Sequence, residues 1–314
     1  MAEATHGSIA PPLVTGLRGH RRSAFQRWLG RRSTIAFVMC VPLLAVIVGL
    51  VMYPALYAIN LATMNKAMTK HIGLGNFEFL LTRETFWMVV RQSAIFALTA
   101  VFFKALIGLI TAHLVNNIPV KGQRKWRGML LVPWVMPLSL STLGFWWMFD
   151  PTYSALNWVL RVLGFSPVPW LSDPHWARAS VILDNVWYGA PFFLIMYLAA
   201  LKSVPADLYE AASIDGANAW QKFLHITLPM MRNIIAITVL FSLIVTFANF
   251  DIIWVMTQGG PRDMTHIFAT WAFKLGIQSG DIPLGASVSL FMFPILGVAA
   301  IFILRGVNKR AREI

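Results

Sequence analysis

The chain has 314 residues, of which 57% are hydrophobic and only 12% charged, with a mean hydropathy of +0.64. Water-soluble domains carry about twice that share of charge, so a soluble globular protein is excluded: too few polar side chains exist to cover its surface. The net charge of +13 does not point to nucleic acid either, because the basic residues flank apolar stretches, as membrane orientation signals do.

Met1–Gly30 is polar and Arg-rich, and the apolar run after it is too long for a signal-peptide core, so no cleavable signal is expected. A bilayer core about 30 Å thick needs about 20 helical residues to cross it, so long intervals between charges mark the spans. Arg32 to Lys66 holds no charge, Arg91 to Lys121 only Lys104, and Arg127 to Asp150 none. Arg178 to Lys202 holds only Asp184, Arg232 to Arg262 only Asp251, and Asp281 to Arg305 none. The expected fold is an all-α integral membrane protein of six transmembrane helices. Its parts are a basic arm (1–33), a first transmembrane helix (34–60), an external loop (61–87), a five-helix core (88–305) carrying the loop 202–231, and a basic tail (306–314). Prolines in or near the spans (Pro42, Pro54, Pro133, Pro137, Pro191, Pro294) suggest kinked helices, which buried neighbours can tolerate. The single Cys40 lies inside the first apolar run and offers neither a disulfide nor a Cys-x-x-Cys metal site.

Basic residues concentrate on one side of this topology: the arm (Arg18, Arg21, Arg22, Arg27, Arg31, Arg32), the loop after span 2 (Lys121, Arg124, Lys125, Arg127), the loop after span 4 (Lys202, Lys222, Arg232) and the tail (Arg305, Lys309, Arg310, Arg312). By the positive-inside rule both termini are expected in the cytoplasm.

The loop from Lys202 to Met231 has the grammar of two short helices. Pro205 suits a first turn, and Asp207 and Glu210 lie near the positive end of the dipole. Gly216 can end the helix with φ > 0. Asn218 and Gln221 can form a capping box, and Pro229 would terminate or bend the next helix. Small Ala211 and Ala212 would let such a helix dock closely on another protein; resting on the membrane surface is the alternative.

The run Glu210-Ala211-Ala212-Ser213-Ile214-Asp215-Gly216-Ala217, followed by Phe223, Ile226, Leu228 and Pro229, resembles the EAA loop of bacterial ABC importer permeases. Phe250-Asp251 and Thr257-Gln258-Gly259-Gly260-Pro261 look like the FD…TxGGP stretch of the carbohydrate-uptake branch, with Gln258 where Gly or Asn is common. Pro133, Pro137 and Trp170 to Asp173 are similar to maltose-type and glycerol-phosphate-type permeases, and the resemblance covers roughly Leu43 to Val307. It implies the MetI-like fold of type I importers and a non-catalytic transport subunit. The implied partners are a homologous second permease, a cytoplasmic ATPase dimer that binds ATP and Mg, and an extracytoplasmic solute-binding protein. In that family the loop is a coupling helix seated in the ATPase. Carried over, Glu210 makes a polar contact there, Ala211 and Ala212 allow close approach, Gly216 forms the turn, and Asp215 and Ala217 complete the motif.

A sugar path needs hydrogen-bonding groups and flat aromatic faces. Ser242, Thr246 and Asn249 recur at helical spacing with Val245 beside them, and Trp187, Tyr188, Gly189 and Phe192 cluster around Pro191. The family's sugar-contacting positions fall at Tyr188, Gly189, Phe192, Ser242, Val245, Thr246 and Asn249. Interhelical hydrogen bonding is the competing role for the polar members. An ionised Asp at mid-membrane costs about 2.5–3.5 kcal/mol on insertion scales, so Asp184 and Asp251 should pair or face a cavity. They would be the coupling sites of an ion-driven secondary transporter, the main alternative, although the internal repeats common there are not evident. Lys104 should snorkel or pair. No HExxH, GxSxG or Walker A motif occurs, so neither an enzyme nor an ATPase is expected in this chain.

Overall fold

The computed structural model describes residues 32–311, with side chains for residues 36–305. The basic arm falls outside the described residues up to position 31, and the side chains of the expected tail do so too. By contacts the chain divides into residues Met1–Leu56 and Tyr57–Ile314.

Five helices are long and apolar enough to cross a membrane: α1 (Ala36–Ala62), α3 (Glu84–Asn117), α8 (Pro174–Lys202), α10 (Ala219–Phe247) and α13 (Ile282–Arg305). Shorter helices connect them, namely α2 (Gly75–Leu81), α4 (Val120–Leu130), α5 (Val132–Val135), α6 (Leu138–Met148), α7 (Ala155–Val162), α9 (Ala206–Ile214), α11 (Asp251–Met256) and α12 (Phe268–Phe273). Among the described residues there is no strand, only an isolated bridge between Met64 and His71.

The span expected between Arg127 and Asp150 is a broken helix, and the reason is local. Pro137 keeps Met136 out of the helical region, and Met136 sits at φ −69°, ψ 142° between α5 and α6. The long interval assigned to span 5 also divides. Helix α10 stops at Phe247, and Asp251 opens the separate helix α11. Pro229 does not end α10. A wide π turn at Phe223–Thr227 immediately precedes it and the helix continues to Phe247, as a helix does when one backbone bond must be given up. Pro191 likewise lies inside α8 without breaking it.

Helix α8 is the most buried of the five, with 56% of its most apolar window inside the protein. Its closest neighbour is α3. A Cβ at Gly108 would collide with the Cβ and backbone of Phe193, so the two helices touch at a point where only hydrogen fits, as membrane helices often do at small residues. Around this contact Phe193, Leu194, Tyr197 and Leu198 pack with Ala97, Val101, Ala112 and Val115. Phe86 joins Phe268 and Phe291 to the same core. A second cluster of Phe96, Phe149, Val181, Ile252, Ile253, Met256 and Ile267 gathers α3, α6, α8 and α11.

Polar clamps add register. The Ser93 hydroxyl accepts from the Phe268 N–H at 3.0 Å, and Ser287 donates to the Ala62 carbonyl at 3.2 Å. On α6, Ser139 donates to Asp251 at 3.3 Å and Thr142, one turn on, donates to Asp184 at 2.8 Å. These carboxylates therefore tether one helix to two others.

The α3–α8 contact makes a direct prediction. Gly108→Ala should destabilise the protein in detergent by about 1–3 kcal/mol, the usual cost of overpacking. Gly128→Ala, on α4 with nothing within 4 Å of the added Cβ, should raise the thermal midpoint slightly, because Ala favours the helix over Gly by about 1 kcal/mol. Equal midpoints for both variants would contradict the tight contact.

Candidate functional site

Helix α9 is built as its sequence suggests. Pro205, at φ −58°, stands at its N-cap and Asp207 in its first turn. At its end Gly216 takes φ +77°. The Gly216 N–H reaches the Ser213 carbonyl at 3.1 Å, and the Ala217 N–H reaches that of Ala212 at 2.9 Å. This paired closure satisfies the terminal carbonyls and requires a residue tolerant of positive φ. Asn218 and Gln221 then form the capping box of the next helix. Glu210, Ala211, Asp215 and Gly216 are exposed, Ala212 and Ala217 are half-buried, and Ile214 is 88% exposed. The segment thus presents an acid, small residues and an unpartnered apolar side chain on one short helix. Two fasteners went unread in the sequence. The Tyr209 hydroxyl bonds Thr227 at 2.9 Å, and Lys222 donates to Ser213 at 2.6 Å, so α9 is tied to the base of α10.

All seven residues expected along a sugar path line one cavity of about 330 Å³: Tyr188, Gly189, Phe192, Ser242, Val245, Thr246 and Asn249. Helices α8 and α10 supply them because each helix carries residues of one face at spacings of three and four. Asn249 departs from that account. It lies beyond the end of α10, where its Oδ1 accepts the Ile252 N–H at 3.2 Å, so it reaches the cavity from a turn. Phe192 forms an aromatic wall with Trp134 at 5.8 Å and Phe241 at 5.4 Å.

The cavity also contains residues the sequence reading did not assign to it: Lys104, Trp134, Leu138, Asn185 and Phe241. Lys104 does not snorkel. It is 4% exposed, its stem lies across Gly189, and its Nζ donates to the Thr246 hydroxyl at 2.8 Å. That hydroxyl in turn donates to the Ser242 carbonyl at 2.6 Å. The available signal was Lys104 itself, the one charge in its span, because a charge inside a membrane segment marks a buried partner or a pathway. Asp184 and Asp251 do not share a site. Asp184 is fully buried and held by Thr142, whereas Asp251 is exposed at the start of α11.

The Thr257-Gln258-Gly259-Gly260-Pro261 stretch is a tight loop between α11 and α12. Gln258 has φ +49°, the region Gly and Asn occupy at least cost, which explains the residues common at that position. Gly259 lies against the ring of His266, and any Cβ there would enter the imidazole. Burial, and then the nearby charge of Lys274, push His266 down to about 4 despite the opposing pull of Asp263. Among the described residues no group of His, Cys, Asp and Glu could hold a metal.

Residues 104–313 match the family described as "Binding-protein-dependent transport system inner membrane component". The chain is 31% identical over 271 residues to the trehalose/maltose transport system permease protein of Thermococcus litoralis, covering 85% of this chain and 91% of that one. It is 31% identical over 284 residues to the sulfoquinovosyl glycerol transport system permease protein of Agrobacterium fabrum, covering 88% and 92%. Among solved structures, a chain of a bacterial ABC transporter importing the acidic polysaccharide alginate has the same fold. Its TM-score is 0.77 at 24% identity, over 90% of this chain and 96% of that one.

Gln258→Gly should stabilise the protein by up to about 1 kcal/mol by relieving the left-handed conformation, read as a higher midpoint of thermal unfolding; a lower midpoint would contradict this. A second expectation concerns pH. His266 is depressed from an unfolded value near 6.5, so its neutral form favours the folded state above about pH 6.5. That contribution is lost as pH falls toward about 4. The wild type should lose more stability than His266→Gln over this interval.

Proposed function

Because the chain belongs to the binding-protein-dependent transport system inner membrane component family, and is a non-catalytic permease subunit of a carbohydrate ABC importer, we propose that its sugar crosses through the cavity between α8 and α10 and that α9 couples that passage to ATP hydrolysis. The observation that carries this reading is convergence. Seven residues from two helices and a turn meet in one cavity that joins hydrogen-bonding groups to an aromatic wall. Aromatic faces suit the C–H surfaces of a sugar ring, and side-chain amides and hydroxyls suit its rim.

The relatives act on trehalose or maltose and on a sulfoquinovosyl glycerol, which supports a glycoside of one or two rings as cargo. A homologous second permease would close the cavity, and a solute-binding protein would deliver the sugar from outside. With both termini cytoplasmic, as the distribution of Lys and Arg supports, α9 faces the cytoplasm. There Glu210, Ala211, Ala212, Asp215, Gly216 and Ala217 would meet a dimeric ATPase that holds ATP and Mg. Its closure would push the α9 helices of the two permeases together and open the cavity outward; hydrolysis would reset it inward. The bonds of Tyr209 to Thr227 and of Lys222 to Ser213 support transmission, since they join α9 to the base of a cavity-lining helix.

Glu210→Lys and Gly216→Pro should each abolish uptake by the complete importer while the subunit still inserts, because one reverses the charge at the docking face and the other cannot adopt φ +77°. Asn249→Ala and Phe192→Ala should each weaken uptake affinity or rate by roughly tenfold, the loss of one well-placed contact. Normal uptake in the first pair would remove the coupling role, and in the second pair the path.

A further inference from the structure

Within that proposed path, on which this inference rests, we infer that Lys104 selects an anionic group on the cargo, so that the importer takes an acidic sugar derivative bearing a carboxylate, sulfonate or phosphate. Lys104 lines the cavity and is 4% exposed. Among the described residues its hydrogen bond is to Thr246, and no carboxylate lies within ion-pair distance of it. Asp184, the acid on α8, makes no ion pair with it; its Oδ2 accepts from Thr142 and its Oδ1 has no partner among the described residues.

An ammonium has three N–H donors. One goes to Thr246, leaving donor capacity beside the cavity, and an anion bound there would favour the charged form of the amine. A buried charge without a counter-charge is strongly disfavoured, and pairing relieves it. A neutral hydroxyl can offer only a dipole, whereas an anion offers both acceptors and charge, and charge-assisted bonds are about twice as strong as neutral ones.

The site is built to hold the amine in place. Gly189 lacks the Cβ that would collide with the lysine stem, and Thr246 is itself fixed by its bond to the Ser242 carbonyl. Asn185, 4% exposed and also lining the cavity, has an amide oxygen with no hydrogen-bond partner. Because its amide can be turned, it can present a donor or an acceptor to the same ligand.

The test uses the complete purified importer, with partner permease and ATPase, and measures direct binding by calorimetry. The probes are digalacturonate, glucose 6-phosphate and a 6-sulfonated glucoside against neutral maltose, so that the three anions are distinguished. The wild type should bind at least one acidic probe more tightly than maltose. In Lys104→Met and Lys104→Gln that preference should fall at least tenfold, while the assembled complex elutes as in the wild type. No acidic preference in the wild type, retention of the preference by Lys104→Gln, an equal loss for all sugars, or loss of assembly in both variants would each overturn the assignment. Asn249→Ala separates this from the path itself. If it weakens maltose and acidic probes alike while the Lys104 variants leave the preference intact, the path stands and the anion selection fails. If Asn249→Ala and Phe192→Ala change neither, the path fails.

Discussion

The structure depends on how closely α3 approaches α8. At Gly108 the helix backbone comes against the Cβ and backbone of Phe193, and at Gly189 the stem of Lys104 fills the space a side chain would take. In a bilayer, lipid tails are as apolar as leucine, so helices gain by close van der Waals fit and shared polar contacts and not by escaping the solvent. The contact supplies both. It sets the core of Phe193, Leu194 and Tyr197 against Ala97 and Ala112, and it carries the Lys104 amine to the hydroxyl of Thr246 on a third helix. Moving α3 outward by the width of a methyl group would open the cavity wall and release the amine.

From that fixed pair the rest of the molecule is hung by directional bonds. Helix α6 is caught twice within one turn, by Asp251 through Ser139 and by Asp184 through Thr142. Helix α12 is tied to α3 through the Phe268 N–H and Ser93. Buried Asp184 carries a desolvation penalty that its partner must offset, whereas Asp251 is exposed; the two acids set the register of helices and do not form a common ion site. The loop at Gly259, packed on the His266 ring, uses the same device of a missing Cβ to let a polar ring fit where the chain turns.

At the other functional element, α9, stability comes from local chemistry. Its C-terminal closure at Gly216 satisfies its last carbonyls without help from distant residues, and the capping box at Asn218 does the same for the start of α10. The surface left free carries Glu210, Ala211 and a largely exposed Ile214. A helix closed by its own C-terminal hydrogen bonds and anchored by Tyr209 and Lys222 can be pushed as a unit. That is the mechanical property the proposed coupling role requires.

What could be read from the chain alone was whatever depends on neighbours in sequence. The apolar intervals announced the membrane helices, Pro205 and Gly216 announced the ends of α9 and Asn218 with Gln221 the cap of α10, and helical spacing put Ser242 and Thr246 on one face. Such features follow from backbone sterics and from the thickness of a bilayer, and these act within a few residues or along a single helix. Length of an uncharged interval could not tell a continuous span from a broken one, so the break at Met136-Pro137 and the separate start of α11 at Asp251 needed the coordinates. The fate of Lys104 is the clearest case. A flexible lysine in an apolar helix can reach the interface or turn inward with equal covalent ease. Only the packing of α3 on Gly189 of α8, and of Thr246 from 142 positions away, closes one route and supplies a partner on the other.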